Sequence, residues 1–227
     1  VMSEVTLKVL PAPEATGTVL LAGLDAATAV KALSAALGSP FSVTGAAHLP
    51  QAAAAALGHA RSITIARIED FTDSVHYRIG RLAGIWSGFG AVEQLDTTAS
   101  LALWRAVRDA APLALRDGDA VWRVSVQPSA GPAILDMARG AGLDGYLDWG
   151  GGLVFLSGPG GETAHAAIAA ATRRAGGEWW LLRAPDALRH RPDALPPEPE
   201  AMAAIRRRVA AAFDPAGILN PGRLHAA

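Results

Sequence analysis

The chain has 227 residues, of which 51% are hydrophobic and 18% are charged, with a formal net charge of −1. This composition is typical of a compact globular protein and leaves no basic field for nucleic acid or for a membrane surface. The sequence has no cysteine, which excludes disulfides, thiolate catalysis and cysteine-bound zinc or iron–sulfur sites and fits a reducing compartment. Its apolar stretches are too short to predict a membrane span.

The first half of the chain alternates between strand and helix patterns. Val5, Leu7 and Val9 alternate with polar residues, which predicts that the chain begins within a strand. Asp25 is placed to cap a helix that ends before Gly38. The further predicted elements of this half are a helix over 72–83 and strands over 16–21, 41–47, 62–68 and 92–95.

The second half repeats this order after a predicted connecting helix over 97–110. Ser129 is expected to cap a helix that runs to Ala138, and the glycines from Gly150 to Gly152 to join two strands as a hairpin. The last predicted helix begins at Glu198 and carries apolar residues on one face, at Met202, Ile205, Val209 and Phe213. The remaining elements are a helix over 162–175 and strands over 120–126, 143–149, 153–157 and 178–183.

Each half of the chain thus has the order βαββαβ, the split βαβ arrangement. The sequence therefore predicts an α+β fold in which helices cover antiparallel sheet, built from two ferredoxin-like repeats over 16–96 and 119–184. The pattern leaves open whether the repeats share one sheet or form two fused sheets.

Few side chains indicate a local catalytic or metal site. None of the six histidines pair at a spacing of two or four residues, so no metal site is predicted. The run from Gly158 to Gly161 precedes a helix, but no lysine accompanies it and Glu162 would repel a phosphate, which favours a simple turn. Trp179 and Trp180 must point to opposite faces of a strand, so one of them is expected on an outer, partner-facing surface.

The tail of the chain, residues 213–224, reads FDPAGILNPGRL. In physical terms Pro215 and Gly217 end the preceding helix, and an Asn-Pro-Gly turn follows. The string resembles the FDPxGIxNPG signature that closes FAD-linked oxidases of the vanillyl-alcohol oxidase type. This resemblance implies FAD as the cofactor and places three residues near it, Asn220, Pro221 and Gly222.

The start of the chain resembles the same family. Residues 1–11 are similar to the segment that ends the FAD-binding domain in these oxidases. The resemblance implies that residues 1–15 end an FAD-binding domain that is otherwise absent from the chain. It implies that residues 16–227 are the C-terminal cap domain, whose last helix and Asn-Pro-Gly tail occupy 198–227.

Within the family, the chain most resembles the FAD-binding subunit of glycolate oxidase, through the tail and through short segments at 104–108, 122–126 and 148–151. This implies that Arg108 and Arg123 hold a substrate carboxylate, for which a guanidinium offers two parallel donors. From the residues alone, either arginine can equally be solvated. The His-x-Gly-Asp-Gly-Asn-x-His run of the related catalytic subunits is missing at 147–154, so neither a metal nor a catalytic residue is assigned.

Two functions follow from this resemblance. The first is part of an FAD-dependent oxidoreductase that oxidises a small 2-hydroxy acid such as glycolate, with FAD as hydride acceptor and with other glycolate oxidase-type subunits as partners. Such a protein is expected to be cytoplasmic and to meet a membrane only through its partners, without direct membrane insertion and without nucleic acid. The second is a non-enzymatic assembly module that docks onto a partner oxidase subunit. In either case the isolated chain is expected to be inactive.

Overall fold

A computed structural model describes residues 4–9 and 11–219 of the chain. It contains eight strands: Ala15–Ala22 (β1), Gly45–Leu49 (β2), Ile63–Asp70 (β3), Val92–Leu95 (β4), Asp119–Ser125 (β5), Asp144–Asp148 (β6), Leu153–Pro159 (β7) and Glu178–Arg183 (β8). The helices of the described residues are Ala26–Leu37 (α1), Gln51–Ala55 (α2), Thr72–Trp86 (α3), Thr97–Arg108 (α4), Gly131–Gly140 (α5), Glu162–Arg174 (α6), Asp186–Arg189 (α7) and Glu200–Phe213 (α8).

The eight strands form one antiparallel sheet in the order β4-β1-β3-β2-β6-β7-β5-β8. The first four strands have the order 4-1-3-2, and the last four show the same order read from the opposite edge of the sheet. The two halves meet where β2 pairs with β6, at His48 and Leu147. The predicted α+β fold with two ferredoxin-like repeats is therefore confirmed, and the repeats share a single sheet.

Helices pack on both faces of this sheet. Val19 and Leu21 of β1 belong to a core that includes residues of α1 and α3, whereas Leu20 between them packs with Leu103 and Trp104 of α4. The second repeat places Trp122 and Val124 of β5 in a core with α5 and α6. Because successive strand residues point to opposite faces, this alternation separates an α1/α3/α5/α6 face from the face that carries α4.

Helix α4, which connects the repeats, covers only part of the sheet face on which it packs. Beyond it, Trp180 of β8 is 42% exposed and Trp149, in the turn after β6, is 63% exposed. Short 3₁₀ turns at Ala111–Leu113, Pro128–Ala130 and Trp149–Gly151 complete the connections near this region. The uncovered sheet surface is where the predicted substrate arginines lie.

Some predicted elements were wrong. Residues 4–9 form neither strand nor helix, and Val5, Leu7 and Val9 are exposed, because no strand of the described chain pairs with them. The strand expected over 41–47 begins only at Gly45, because Ser42 has a φ of +52° that interrupts an extended backbone. Ser129 lies in a 3₁₀ turn and does not cap α5, which begins two residues later.

The last helix, α8, forms as predicted, but its apolar face points away from the core. Its only buried residue is Ala203, and the four apolar residues predicted on one face are 53–84% exposed: Met202, Ile205, Val209 and Phe213. Of the helices in the described part of the chain, none combines the length and the hydrophobicity that crossing a bilayer requires.

Candidate functional site

The two predicted substrate arginines line the same depression, on the sheet face beside α4. Arg108 comes from the last turn of α4 and Arg123 from the middle of β5, and the open cavity between them measures about 570 Å³. Two further arginines, Arg67 of β3 and Arg105 of α4, line it as well. We call this cavity the arginine depression; its other lining residues are Thr44, Gly45, Glu69, Leu101, Trp104, Val107, Asp148, Trp149, Leu153 and Phe155.

A row of residues in register across four strands brings Arg123 to this surface. Arg123 of β5 is paired with Trp180 of β8 on one side and with Phe155 of β7 on the other, and Phe155 is paired with Tyr146 of β6. The Tyr146 and Phe155 rings stack at 5.2 Å, and the Tyr146 hydroxyl donates to the Val107 carbonyl at 3.0 Å. The stack and the hydrogen bond fix the floor of the depression beside Arg123.

Arg123 lines the depression without an ion pair among the described residues. Its guanidinium carbon lies 5.4 Å from the centroid of the Trp149 ring, and no carboxylate of the described residues pairs with it. The aromatic face restrains the guanidinium without neutralising its charge. The charge of Arg123 therefore remains available to an anion in the depression.

The turn that carries Trp149 is built under backbone strain. Trp149 has a φ of +49°, an unusual value for a residue with a large side chain, and Gly150 and Gly151 follow with φ values of +68° and +107°. The Asp148 side chain caps this turn, since its Oδ1 accepts the Trp149 N–H at 2.7 Å. The predicted hairpin at Gly150 to Gly152 is confirmed, and it carries the Trp149 indole that lies beside Arg123.

Arg67 is a residue of the site that the sequence reasoning missed. Its guanidinium carbon lies 5.0 Å from the centroid of the Trp104 ring, it forms an ion pair with Glu69 at 3.0 Å, and its Nε donates to the Thr44 hydroxyl at 3.2 Å. These contacts make Arg67 part of the wall of the depression. The available sequence signal was an arginine in alternation with Ile63 and Ile65 within a predicted strand.

The two arginines of α4 are placed differently from Arg123. Arg108 is 72% exposed in its side chain and forms an ion pair with Asp109 at 2.7 Å, so it stands at the rim with its charge matched. Arg105 is exposed one turn earlier and forms no ion pair among the described residues, although its charge helps to lower the pKa of Asp109. The arginines of the depression that form no ion pair among the described residues are thus Arg105 and Arg123.

Asp148 is an acidic residue that lines the arginine depression. Burial raises the pKa of its carboxyl above the usual range, while the Trp149 N–H and the nearby Arg67 act in the opposite direction. Its neighbour Tyr146 also has a raised pKa, because burial disfavours the phenolate. Asp148 is half-buried and has no ion pair among the described residues.

The other predicted features fall outside this site. Trp179 is buried and Trp180 is partly exposed, which confirms that they occupy opposite faces. Gly161 precedes α6, whose Glu162 forms an ion pair with Arg191 at 2.9 Å, so this turn presents a carboxylate and not a phosphate cradle. Within residues 4–9 and 11–219, no group of three or more acidic or histidine side chains is placed to hold a metal. The predicted cofactor residues lie outside the described residues: Asn220, Pro221 and Gly222.

Comparison with known proteins identifies the fold but no close relative by sequence. No protein-family model matches the chain, and no curated protein matches its sequence. Solved structures do match. An alkyldihydroxyacetonephosphate synthase is 14% identical with a TM-score of 0.56, p-cresol methylhydroxylase with substrate bound is 13% identical with 0.59, and a 4-ethylphenol oxidase from Gulosibacter chungangensis in complex with isoeugenol is 12% identical with 0.61.

Each of these matches covers 94% of the present chain but only 46%, 53% and 54%, respectively, of the solved chain. The chain therefore spans about half the length of the structures it matches. At this identity the likeness concerns the fold alone, and it agrees with the α+β arrangement that the sequence predicts.

Proposed function

We propose that the chain is the cap part of an FAD-dependent oxidoreductase and that its arginine depression binds the carboxylate of a small acid, with a 2-hydroxy acid such as glycolate as the substrate. The observation that carries the proposal is the meeting of Arg108 and Arg123 in one depression. These residues lie on different elements and were selected by a resemblance to glycolate oxidase. The shared fold with p-cresol methylhydroxylase and 4-ethylphenol oxidase supports the flavin-dependent part of the proposal.

The described residues fit one wall of a flavin site. The uncovered sheet surface offers aromatic groups, Trp149 and Trp180, on either side of the cationic Arg123, which suits a planar and electron-accepting ring. The described glycine turn before α6 offers no phosphate cradle, so the pyrophosphate of FAD would need residues outside it. When bound, FAD supplies the acceptor for a hydride from the substrate.

The residues of this chain then have distinct tasks in the proposed reaction. Arg123, with Arg105 beside it, would hold the substrate carboxylate, because charge-assisted bonds to a guanidinium fix both position and orientation. Arg108 at the rim would attract the anion and contribute little to holding it, since Asp109 already matches its charge. Asn220, Pro221 and Gly222 are proposed to approach the cofactor.

Calorimetric titration of the chain with glycolate tests the carboxylate site. The proposal predicts saturable binding that Arg123→Gln weakens about 10- to 100-fold, from the ~1.5–3 kcal/mol of a hydrogen bond to a charged group. Arg139→Gln is the matched control, since that arginine is exposed on α5 and pairs with Asp136 away from the depression. Equal affinity of the Arg123 variant and the wild-type chain would contradict the assignment.

The flavin part needs a separate titration with FAD, followed by flavin fluorescence, in the chain alone and after addition of the FAD-binding domain of a related oxidase subunit. We expect the added domain to confer flavin binding and glycolate to reduce the bound flavin. A complex that binds flavin but is never reduced by glycolate or another 2-hydroxy acid would contradict the proposed substrate class.

A non-enzymatic assembly module is the second candidate. The observation that favours it is the exposed apolar face of α8, where Ile205 is 54% exposed and Phe213 is 84% exposed. Such a face is typical of a docking surface for another protein. If partner oxidase subunits co-purify with the chain, loss of their capture by Ile205→Ser, with retention by Arg123→Gln, would favour this role.

A further inference from the structure

We infer that Asp148 is the proton-exchanging group of the arginine depression: it takes up a proton when a small carboxylate binds there, and the neutral acid then donates a hydrogen bond from Oδ2 to the bound anion. The inference rests on the proposed function, because it assumes a carboxylate in the depression. It adds a pH dependence and a second anchoring contact that the resemblance to known oxidases does not imply.

The first observation behind this inference is the position of Asp148. It lies on the same sheet face as Tyr146, two residues earlier in β6, and it lines the depression together with Arg67 and Arg123. Its Oδ1 is committed to the Trp149 N–H at 2.7 Å. No donor of the described residues reaches Oδ2, which leaves this oxygen available to a ligand.

The second observation is the set of charged groups around Asp148. From β3, Arg67 faces it but is already paired with Glu69 at 3.0 Å. From α4, Arg105 and Arg108 border the cavity, and from β5, Arg123 does so. On the opposite side of the sheet, His48 is buried against Thr64, and burial lowers its pKa to about 4, so it contributes no charge near neutral pH.

A bound carboxylate changes this balance. An anion held by Arg123 and Arg105 brings a second negative charge into the cavity that already holds the Asp148 carboxylate. Two carboxylates that share a site raise the pKa of one of them, because both cannot stay ionised at close range. Burial of Asp148 acts in the same direction, so the proton is expected to go to this residue.

The consequence is a defined pH profile. The bound state has the higher Asp148 pKa, so affinity is highest below the pKa of the free protein. It then falls by about tenfold per pH unit as the pH rises through the interval between the free and the bound pKa, and it levels off above the bound pKa. Asp148→Asn keeps the acceptor for the Trp149 N–H and offers a neutral donor, so the glycolate affinity of this variant should not vary with pH.

The test is isothermal calorimetry of glycolate binding to the chain at several values between about pH 5 and pH 8, in pairs of buffers that differ in ionisation enthalpy. We expect proton uptake of up to one proton per glycolate in the wild-type chain and none in Asp148→Asn. Asp144→Asn, an exposed position on the same strand, is the matched control and should retain the uptake. Glycolamide, the neutral analogue, should cause no proton uptake.

Each result separates this inference from the proposed function. Glycolate binding without proton uptake, or uptake that persists in Asp148→Asn, would overturn the role of Asp148 and leave the carboxylate site standing. Absence of glycolate binding to the wild-type chain would overturn both. Binding that is weaker at high pH in the wild-type chain and flat in Asp148→Asn would establish the inference.

Discussion

Trp104 packs in the core and also forms part of the wall of the arginine depression. Its replacement should therefore lower the free energy of unfolding by an amount that its contacts allow us to calculate. The indole is 7% exposed, its Nε1 donates to the Thr18 hydroxyl at 3.0 Å, and Arg67 lies over its ring. Trp104→Phe leaves the fully buried Thr18 hydroxyl without its donor, which costs about 1–3 kcal/mol. The weaker cation–π contact adds about 0.5–1 kcal/mol, so we expect the free energy of unfolding to fall by about 1.5–4 kcal/mol.

A double-mutant cycle isolates the hydrogen bond. Thr18→Val alone leaves the Trp104 N–H without an acceptor, but in the double variant neither polar group remains unpaired. The double variant should therefore lose at least about 1 kcal/mol less than the sum of the two single losses, measured by urea unfolding at constant m-value. Additive losses would refute the view that this bond joins α4 to β1 energetically.

Three further predictions concern other parts of the molecule. Arg108→Gln should weaken glycolate binding less than about threefold in calorimetry, because its charge is already matched, and a loss as large as that of Arg123→Gln would contradict this ranking. Because burial lowers the pKa of His48 to about 4, the unfolded chain binds more protons than the folded chain between about pH 6.5 and 4. Stability should therefore fall by up to ~3 kcal/mol as the pH drops through this range, and His48→Gln should flatten the fall in urea unfolding curves. Gly131→Ala should lower the melting temperature, because a Cβ there would lie 2.2 Å from the Gly151 carbonyl oxygen, whereas an unchanged melting temperature would show that the turn yields without cost.

The elements that the sequence predicted well have local causes. Asp25 caps α1 as expected, because its Oδ1 accepts the Thr28 N–H at 2.9 Å within one turn. The strand β8 and the short β4 begin and end at the predicted residues, since turn and cap residues flank them. The repeat of the βαββαβ order then specified the strand order of each half.

The features that the sequence did not predict depend on long-range contacts. The short α2 and α7 span little more than one helical turn, which is too short for a repeating apolar pattern, and α2 lies in an alanine-rich stretch. The single sheet depends on the pairing of His48 with Leu147, nearly one hundred residues apart, which no local pattern encodes.

The composition of the site was predicted only in part for the same reason. Arg108 and Arg123 were selected by resemblance, but their difference in exposure and pairing follows from tertiary packing. Arg67 reaches the depression because β3 is placed beside β2, and Asp148 because it follows Tyr146 on the same face of β6. Neither effect is visible from the residue types alone.

The central claim is that Arg123 is the principal anion ligand of the depression. NMR of arginine Nε–Hε signals during glycolate titration tests it most directly, because each guanidinium reports its own contacts. The account predicts that the Arg123 signal shifts saturably and the Arg139 signal does not, with the Arg108 signal moving less than that of Arg123. A saturable shift confined to other arginines, or no shift at any arginine, would contradict it.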